Sequence, residues 1–303
     1  MRIKILITVI ATSIALSCGS KNTTINDNKT EDTTKSEKAK NDGKIDPFKD
    51  FPKDAITANV GDYVLTPSEN WQRDATEKGA DKVNFIFYNQ KIAEVGSEYS
   101  KINFMSASNI EIPNYMIIPI KSGQKAKKGD IVLTWWQSGS GMERAIVTDA
   151  SNPDQPMVNY LDIDWTNPAK NNAGVGIGQQ SEKIKSNSFH VISTMWEAGT
   201  SVAVYDDNNY IKTTVIKVSG DKVLTIGFGG KMKVYKKSAC TAIVIRPNVK
   251  AGDQVQVPWV GTFKNTKVQK VDVKNGRVWC DDPFGKDPLI VPFGDVTSGL
   301  NIK

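Results

Sequence analysis

The sequence predicts an all-β protein in which small five-stranded barrels stand in tandem behind a cleaved signal and a solvated tether. Three observations carry this expectation. A phrase opening on glycine recurs at Gly61, Gly129, Gly199 and Gly252, spaced by 68, 70 and 53 residues. Each glycine is followed by stretches in which apolar and polar residues alternate, as in Val255-Gln256-Val257, the period of a strand with one buried face. Hairpin turns such as Ser219-Gly220-Asp221 and Lys274-Asn275-Gly276 separate those stretches.

The first element is an export signal. Arg2 and Lys4 precede an apolar run from Ile5 to Leu16, about a dozen residues where a membrane span needs roughly 20. The run ends in Leu16-Ser17-Cys18-Gly19-Ser20. A small residue before a cysteine at this place resembles the lipobox of bacterial lipoproteins, with Ala15 standing where leucine is usual, a looseness similar to that of spirochaetal lipoproteins. The resemblance implies cleavage of residues 1–17 and lipidation of Cys18. Residues 18–44 follow as a tether rich in Asn, Thr, Lys and Asp with no aromatic side chain, too polar to offset the entropy of ordering.

The remaining chain divides at the glycines into four expected repeats, 45–120, 121–190, 191–247 and 248–303. The first reads Gly61-Asp62-Tyr63-Val64-Leu65, then Trp71-Gln72-Arg73-Asp74-Ala75 and Val83-Asn84-Phe85-Ile86-Phe87-Tyr88 as its next strands. The second reads Gly129-Asp130-Ile131-Val132-Leu133, Met142-Glu143-Arg144-Ala145-Ile146-Val147 and Met157-Val158-Asn159-Tyr160. The third runs from Gly199-Thr200 through Tyr210-Ile211-Lys212-Thr213-Thr214-Val215 to Cys240-Thr241-Ala242-Ile243. The fourth runs from Gly252-Asp253 through Phe263-Lys264-Asn265-Thr266-Lys267-Val268 and Gly276-Arg277-Val278-Trp279-Cys280 to Phe293-Gly294-Asp295-Val296. A sheet of about five short strands must close or pair its edges, and a five-stranded, strongly bent barrel fits.

Gly-Asp followed by an apolar strand and then Arg-Ala-x-Val resembles the SH3-like barrels of the Tudor and Agenet type. Copy two is the nearest match, whereas copies three and four carry Thr213-Thr214 and Thr266-Lys267 in place of Arg-Ala. The resemblance implies that aromatic side chains at barrel mouths bind a ligand through their ring faces. The residues in those positions are Trp71, Phe87 and Tyr88, Trp136 and Tyr160, and Trp259, Phe263 and Trp279.

Catalytic chemistry has little support. His190 is the sole histidine and no nucleophile motif accompanies it. No spacing suits zinc, no cofactor is expected, and Asp162, Asp164, Asp281 and Asp282 lack the pattern of a calcium loop. Gly174-Val175-Gly176-Ile177-Gly178 has no lysine after it to make a phosphate loop. With Cys18 lipidated, Cys240 and Cys280 remain, either a disulfide or two buried thiols.

The net charge of +6 arises from 39 basic and 33 acidic residues, intermixed along the chain. That balance, together with export, argues against a nucleic-acid partner. The expected function is a lipid-anchored, non-catalytic binding or scaffold protein of the cell envelope, at the outer membrane. Its expected partners are the membrane through the lipid, and peptidoglycan, an envelope protein or a host polyanion met by Lys125, Lys127 and Lys128 or by Lys231, Lys233, Lys236 and Lys237. A hydrolase using paired carboxylates and a structural coat protein are the alternatives. Metabolic labelling with palmitate is expected to mark the wild type and to leave a Cys18→Ala variant unlabelled.

Overall fold

The computed structural model describes residues 43–163, 179–285 and 287–302. The signal, Cys18, the tether as far as Asp42, Asp164 and the Gly174–Gly178 stretch lie outside them. The chain from Gly43 onward forms one compact unit. Among the described residues no helix is long and apolar enough to cross a membrane.

Three antiparallel five-strand patterns, and a fourth of four strands and a bridge, follow one another along the described residues. The first contains β1 (Tyr63–Pro67), β2 (Phe87–Glu94), β3 (Tyr99–Asn103), β4 (Ile110–Pro113) and β5 (Ile118–Ile120), in the order β4-β3-β2-β1-β5. The second contains β6 (Ile131–Trp135), β7 (Met142–Asp149), β8 (Met157–Tyr160), β9 (Ser181–Lys183) and β10 (His190–Val191), in the order β9-β8-β7-β6-β10. The third contains β11 (Ser201–Asp206), β12 (Asn209–Ser219), β13 (Lys222–Gly227), β14 (Met232–Lys236) and β15 (Cys240–Ala242), with β15 again beside the first strand, β11. The fourth contains β16 (Gln254–Trp259), β17 (Thr262–Asp272), β18 (Arg277–Cys280) and β19 (Leu289–Pro292), and Thr297 bridges Gln256 where a fifth strand would lie. In every copy the last segment returns to the first strand. Small all-β barrels are therefore the fold.

The recurrent glycine explains this uniformity. Gly61, Gly129, Gly199 and Gly252 share a left-handed backbone, with φ of 87, 89, 89 and 94°, open to glycine and strained for other residues. Each glycine N–H donates to the second strand of its own barrel, at Ile92, Val147, Val215 and Val268. The following residue's carbonyl accepts from that same residue's N–H. In three copies an aspartate closes the turn: Asp62, Asp130 and Asp253 accept from the N–H groups of Asn59, Lys127 and Lys250 at 2.8, 2.7 and 2.9 Å. The third copy has Thr200, whose hydroxyl donates to the Glu197 carbonyl.

A β-bulge follows at the same place each time, between Ile92 and Glu94, Val147 and Asp149, Val215 and Lys217, and Val268 and Lys270. One extra residue bends the strand and increases its twist. The second strand can then pair with the first strand along one half and with the third along the other, as β17 does with β16 and β18.

Copy one departs from the expected pattern. Trp71 to Ala75 lie in α1 (Glu69–Lys78), not in a strand, and the second strand begins only at Phe87. The segment is polar apart from Trp71 and Ala75, is laced by Glu69–Arg73 and Asp74–Lys78 pairs at 2.7 Å, and stops at Gly79, all of which suit a helix on a surface. Gln72 is buried beneath it and donates to Thr66 Oγ1 and the Pro67 carbonyl.

The barrels pack against each other. One apolar cluster runs from Ile45, Phe51 and Phe87 through Leu133 and Ile146 to Ile216, Leu224, Val257 and Val278. Ile211 of β12 pairs with Thr262 of β17, which joins the third and fourth copies in one sheet. Ahead of β1, Asp46 ties the entering chain down by accepting from the Tyr115 hydroxyl at 2.5 Å and pairing with Lys53 at 3.0 Å.

Cys240 and Cys280 are free thiols, in place of a disulfide. Cys240 packs on the third barrel's inner cluster with Val202 and Val215, while Cys280 is buried in the large shared cluster. Burial pushes the Cys280 thiol up to about 12, which keeps it protonated and unreactive. Gly252→Ala isolates the cost of the entry turn, because an added Cβ there meets nothing within 4 Å. A loss of about 1–2 kcal/mol is expected from the left-handed backbone alone, read as a lower urea midpoint with an unchanged slope.

Candidate functional site

The four barrels converge on a cavity of about 600 Å³. Phe85, Ile86 and Phe87 of the first copy face Met142, Glu143, Arg144 and Asp162 of the second across it. Lys212, Thr214, Gly227 and Phe228 of the third and Pro258, Val260, Gly261 and Asp295 of the fourth complete the wall. Two glycines permit this convergence. A Cβ on Gly230 would come within 2.4 Å of the Phe85 carbonyl oxygen, and the Phe85 N–H donates to the Gly230 carbonyl at 2.8 Å. A Cβ on Gly261 would come within 2.8 Å of Phe228.

Arg144 forms the floor and is 4% exposed. Its Nε donates to Asp162 Oδ2 at 3.0 Å and its Nη2 to Asp162 Oδ1, a two-pronged contact within the second copy. Nη2 also donates to Asp295 Oδ1 at 3.0 Å, and Nη1 to Ser201 Oγ at 3.4 Å and the Phe293 carbonyl at 3.3 Å. Ser201 donates to the same Asp295 oxygen at 2.6 Å, and Lys212 Nζ stands 3.6 Å from Asp295 Oδ2. Three barrels thus meet on one guanidinium. Arg277 lies behind this wall, donating to the Tyr160 carbonyl at 2.6 Å, and burial lowers it to about 10.

The carboxyls divide by environment. Burial alone would push Asp162 up, but the Arg144 charge and its hydrogen bonds, helped by Lys212, hold it well below the usual carboxylate range. Glu143 is the opposite case. Burial, then the charge of Asp162, push it well above the usual 4.5, and the pull of Arg144, Lys212 and Arg277 does not restore it. Its Oε2 is buried without a hydrogen-bond partner. Around the mouth stand three exposed apolar side chains, Ile86, Phe228 and Val260, 45, 69 and 60% exposed. The site has a charged floor and an apolar collar.

The aromatic positions do not gather at this cavity, apart from Phe87 in its wall. Trp71 and Tyr88, both partly buried, stack obliquely with centroids 6.0 Å apart, Trp71 packing against the large apolar cluster, while Phe87 is in the core. Trp136 meets Tyr160 edge to face at 6.4 Å, but Tyr160 is fully buried, and its hydroxyl donates to Glu182 at 2.6 Å and accepts from the Gln137 N–H. Trp259 packs on Phe284 at 4.5 Å, Phe263 is buried with Ala203, Ile243 and Leu300, and Trp279 lies beneath Lys270. Phe87, Tyr160 and Phe263 are core because the alternation of their strands turns them inward.

His190 has both ring nitrogens engaged, Nε2 with Glu197 at 2.8 Å and Nδ1 with the Gln124 amide at 3.2 Å. Burial would raise Glu197, but hydrogen bonds from Thr194, His190 and Ser193 hold it down to about 2. Gln124 also accepts from the Val191 N–H, so the set straps β10 in place. Of the lysine groups, Lys125 pairs with Asp154, Lys233 with Asp206, and Lys231 donates to the Asp81 carbonyl. Among the described residues no group of three or more His, Cys, Asp or Glu side chains could hold a metal ion.

Glu143 and Asp295 did not stand out in the sequence. The available signal was a glutamate beside an arginine within a strand that is otherwise apolar, Glu143-Arg144-Ala145-Ile146-Val147.

Neither protein-family models nor curated proteins match the chain. Among solved structures it is similar to the four MBT repeats of Drosophila melanogaster Sfmbt, in complex with a methyl-lysine-containing peptide. Identity is 10%, coverage is 79% of this chain and 88% of that one, and the TM-score is 0.16. The barrel assignment rests on the strand order and the four matching bulges.

Removing Arg144 leaves Asp162 and the buried Asp295 without their main counter-charge. Arg144→Met is expected to cost roughly 3–5 kcal/mol in urea unfolding, and Arg144→Lys to recover only part because one ammonium cannot serve both carboxylates.

Proposed function

We propose that this protein is a lipid-anchored, non-catalytic binding protein of the cell envelope, and that its binding site is the cavity between the barrels. The single observation behind this reading is the pairing of a charged floor with an exposed apolar collar, Ile86, Phe228 and Val260, contributed by three different barrels. Pockets of several hundred Å³ with a few convergent polar groups are the usual form of a ligand site. A chain-like ligand fits it better than a flat surface, and a peptide or the peptide part of peptidoglycan is the proposed class. The lipid on Cys18 holds the site at the membrane, and the tether gives it reach.

A hydrolase is the second reading, favoured by one feature. Glu143 and Asp162 line the same cavity with affinities for protons pushed in opposite directions, the arrangement of an acid and a base. Binding is preferred because both oxygens of Asp162 are engaged by Arg144, which leaves it poorly placed to activate water.

Purified peptidoglycan should retain the protein, and Phe228→Ser should reduce retention at least several-fold without lowering the thermal midpoint, since the side chain is exposed. Retention by no envelope component would favour a coat protein. Release of soluble fragments during incubation, abolished by Glu143→Gln, would establish the hydrolase instead.

A further inference from the structure

We propose that Glu143 receives a primary ammonium carried on an apolar stem, with the stem lying against Ile86, Phe228 and Val260. This deepens the binding reading and rests on it.

The charges on the cavity wall single out this residue. Asp162 is neutralised by Arg144, and Asp295 by Arg144 and Lys212. Glu143 is the third carboxyl on the wall, where Arg144 and Lys212 are the cations among the described lining residues, and its Oε2 is a buried acceptor left unbonded. Arg277, behind the wall, exerts the weakest pull of the charges named around it. A buried acceptor without a donor costs free energy that a ligand N–H group would recover. Once the carboxyl ionises, a ligand cation would add to the pull of Arg144, Lys212 and Arg277 on it.

The same geometry sets the selectivity. Phe85, Phe87 and Phe228 are the only aromatic side chains among the described residues of the wall, and Phe85 and Phe87 are buried. A quaternary ammonium, which has no N–H and depends on ring faces, is served poorly. An ammonium with three N–H donors is served well. On binding, the Glu143 carboxyl gives its proton to solvent and the carboxylate accepts from the ammonium, so affinity rises with pH across the titration of Glu143. Asp162, Asp295, Arg144, Lys212 and Arg277 are the charged groups that set the range over which this occurs.

Hexylamine, hexyltrimethylammonium and hexanoate serve as probes for calorimetry with the full chain, in two buffers of different ionisation enthalpy. Hexylamine is expected to bind with proton release, at least tenfold more tightly than the quaternary amine, and Glu143→Gln to weaken it at least tenfold. That variant should melt at a higher temperature than the parent near neutral pH. A carboxyl held above its unfolded value of 4.5 loses the protein stability as pH rises past that value, and glutamine does not ionise. A stable variant with unaltered affinity, or equal binding of the quaternary amine, overturns the proposal. Preference for hexanoate also overturns it, and if Phe228→Ser weakens hexanoate the cavity survives as a site with Lys212 as the head-group ligand. No binding of any probe overturns the ammonium, while retention on peptidoglycan judges the cavity separately.

Discussion

Arg144 is a full charge held away from water, and the arrangement of three barrels follows from how that charge is compensated. An isolated buried charge costs several kcal/mol, and its attraction to a partner repays this only in good geometry. Here the partners come from Asp162 in its own barrel, Ser201 in the third and Asp295 in the fourth. Sliding the fourth barrel against the second would separate Asp295 from Arg144 and strand both. An apolar contact tolerates such a shift far better, because burial is proportional to area and indifferent to direction. The apolar cluster supplies cohesion, and the guanidinium supplies register.

The repeat itself prepares this hub. Arg144 lies opposite Leu133, and Lys212 lies opposite Ala203, each the fourth residue after its entry glycine. The corresponding positions in the first and fourth copies are Asn89, opposite Leu65, and Asn265, opposite Gln256. Cations therefore occupy one repeat position in the two middle barrels, and Asp295 receives both of them. The cavity forms beside that meeting point, where Gly230 and Gly261 let turns of the third and fourth copies approach their neighbours. A charged floor and an apolar collar are by-products of the packing, and Glu143 is the wall group that the packing leaves unsatisfied.

Much of the fold was legible because its determinants are local. The acid or threonine after the entry glycine closes its turn on the residue three places before it, and the glycine itself bonds only to the second strand of its own barrel, so the phrase survives in each copy. In the first copy a helix stands where a strand is expected, and its i,i+4 ion pairs and terminal Gly79 are the local signals for it. Aromatic residues were harder to place. Phe87 and Tyr88 are neighbours in sequence, yet one is core and the other half exposed, and a bulge or an inserted helix shifts that parity without changing composition.

By itself, then, the sequence determined the all-β class, the fourfold entry turn and the mixed-charge surface, since each depends on neighbours along the chain. Tertiary structure alone decided the site. Asp295 reaches Arg144 across 151 residues, Cys240 and Cys280 fall into separate clusters, and burial with the nearby Asp162 charge pushes Glu143 above the usual carboxylate range. Burial and its effect on charge are properties of the space around a residue, and that space is assembled from segments whose proximity no local pattern encodes.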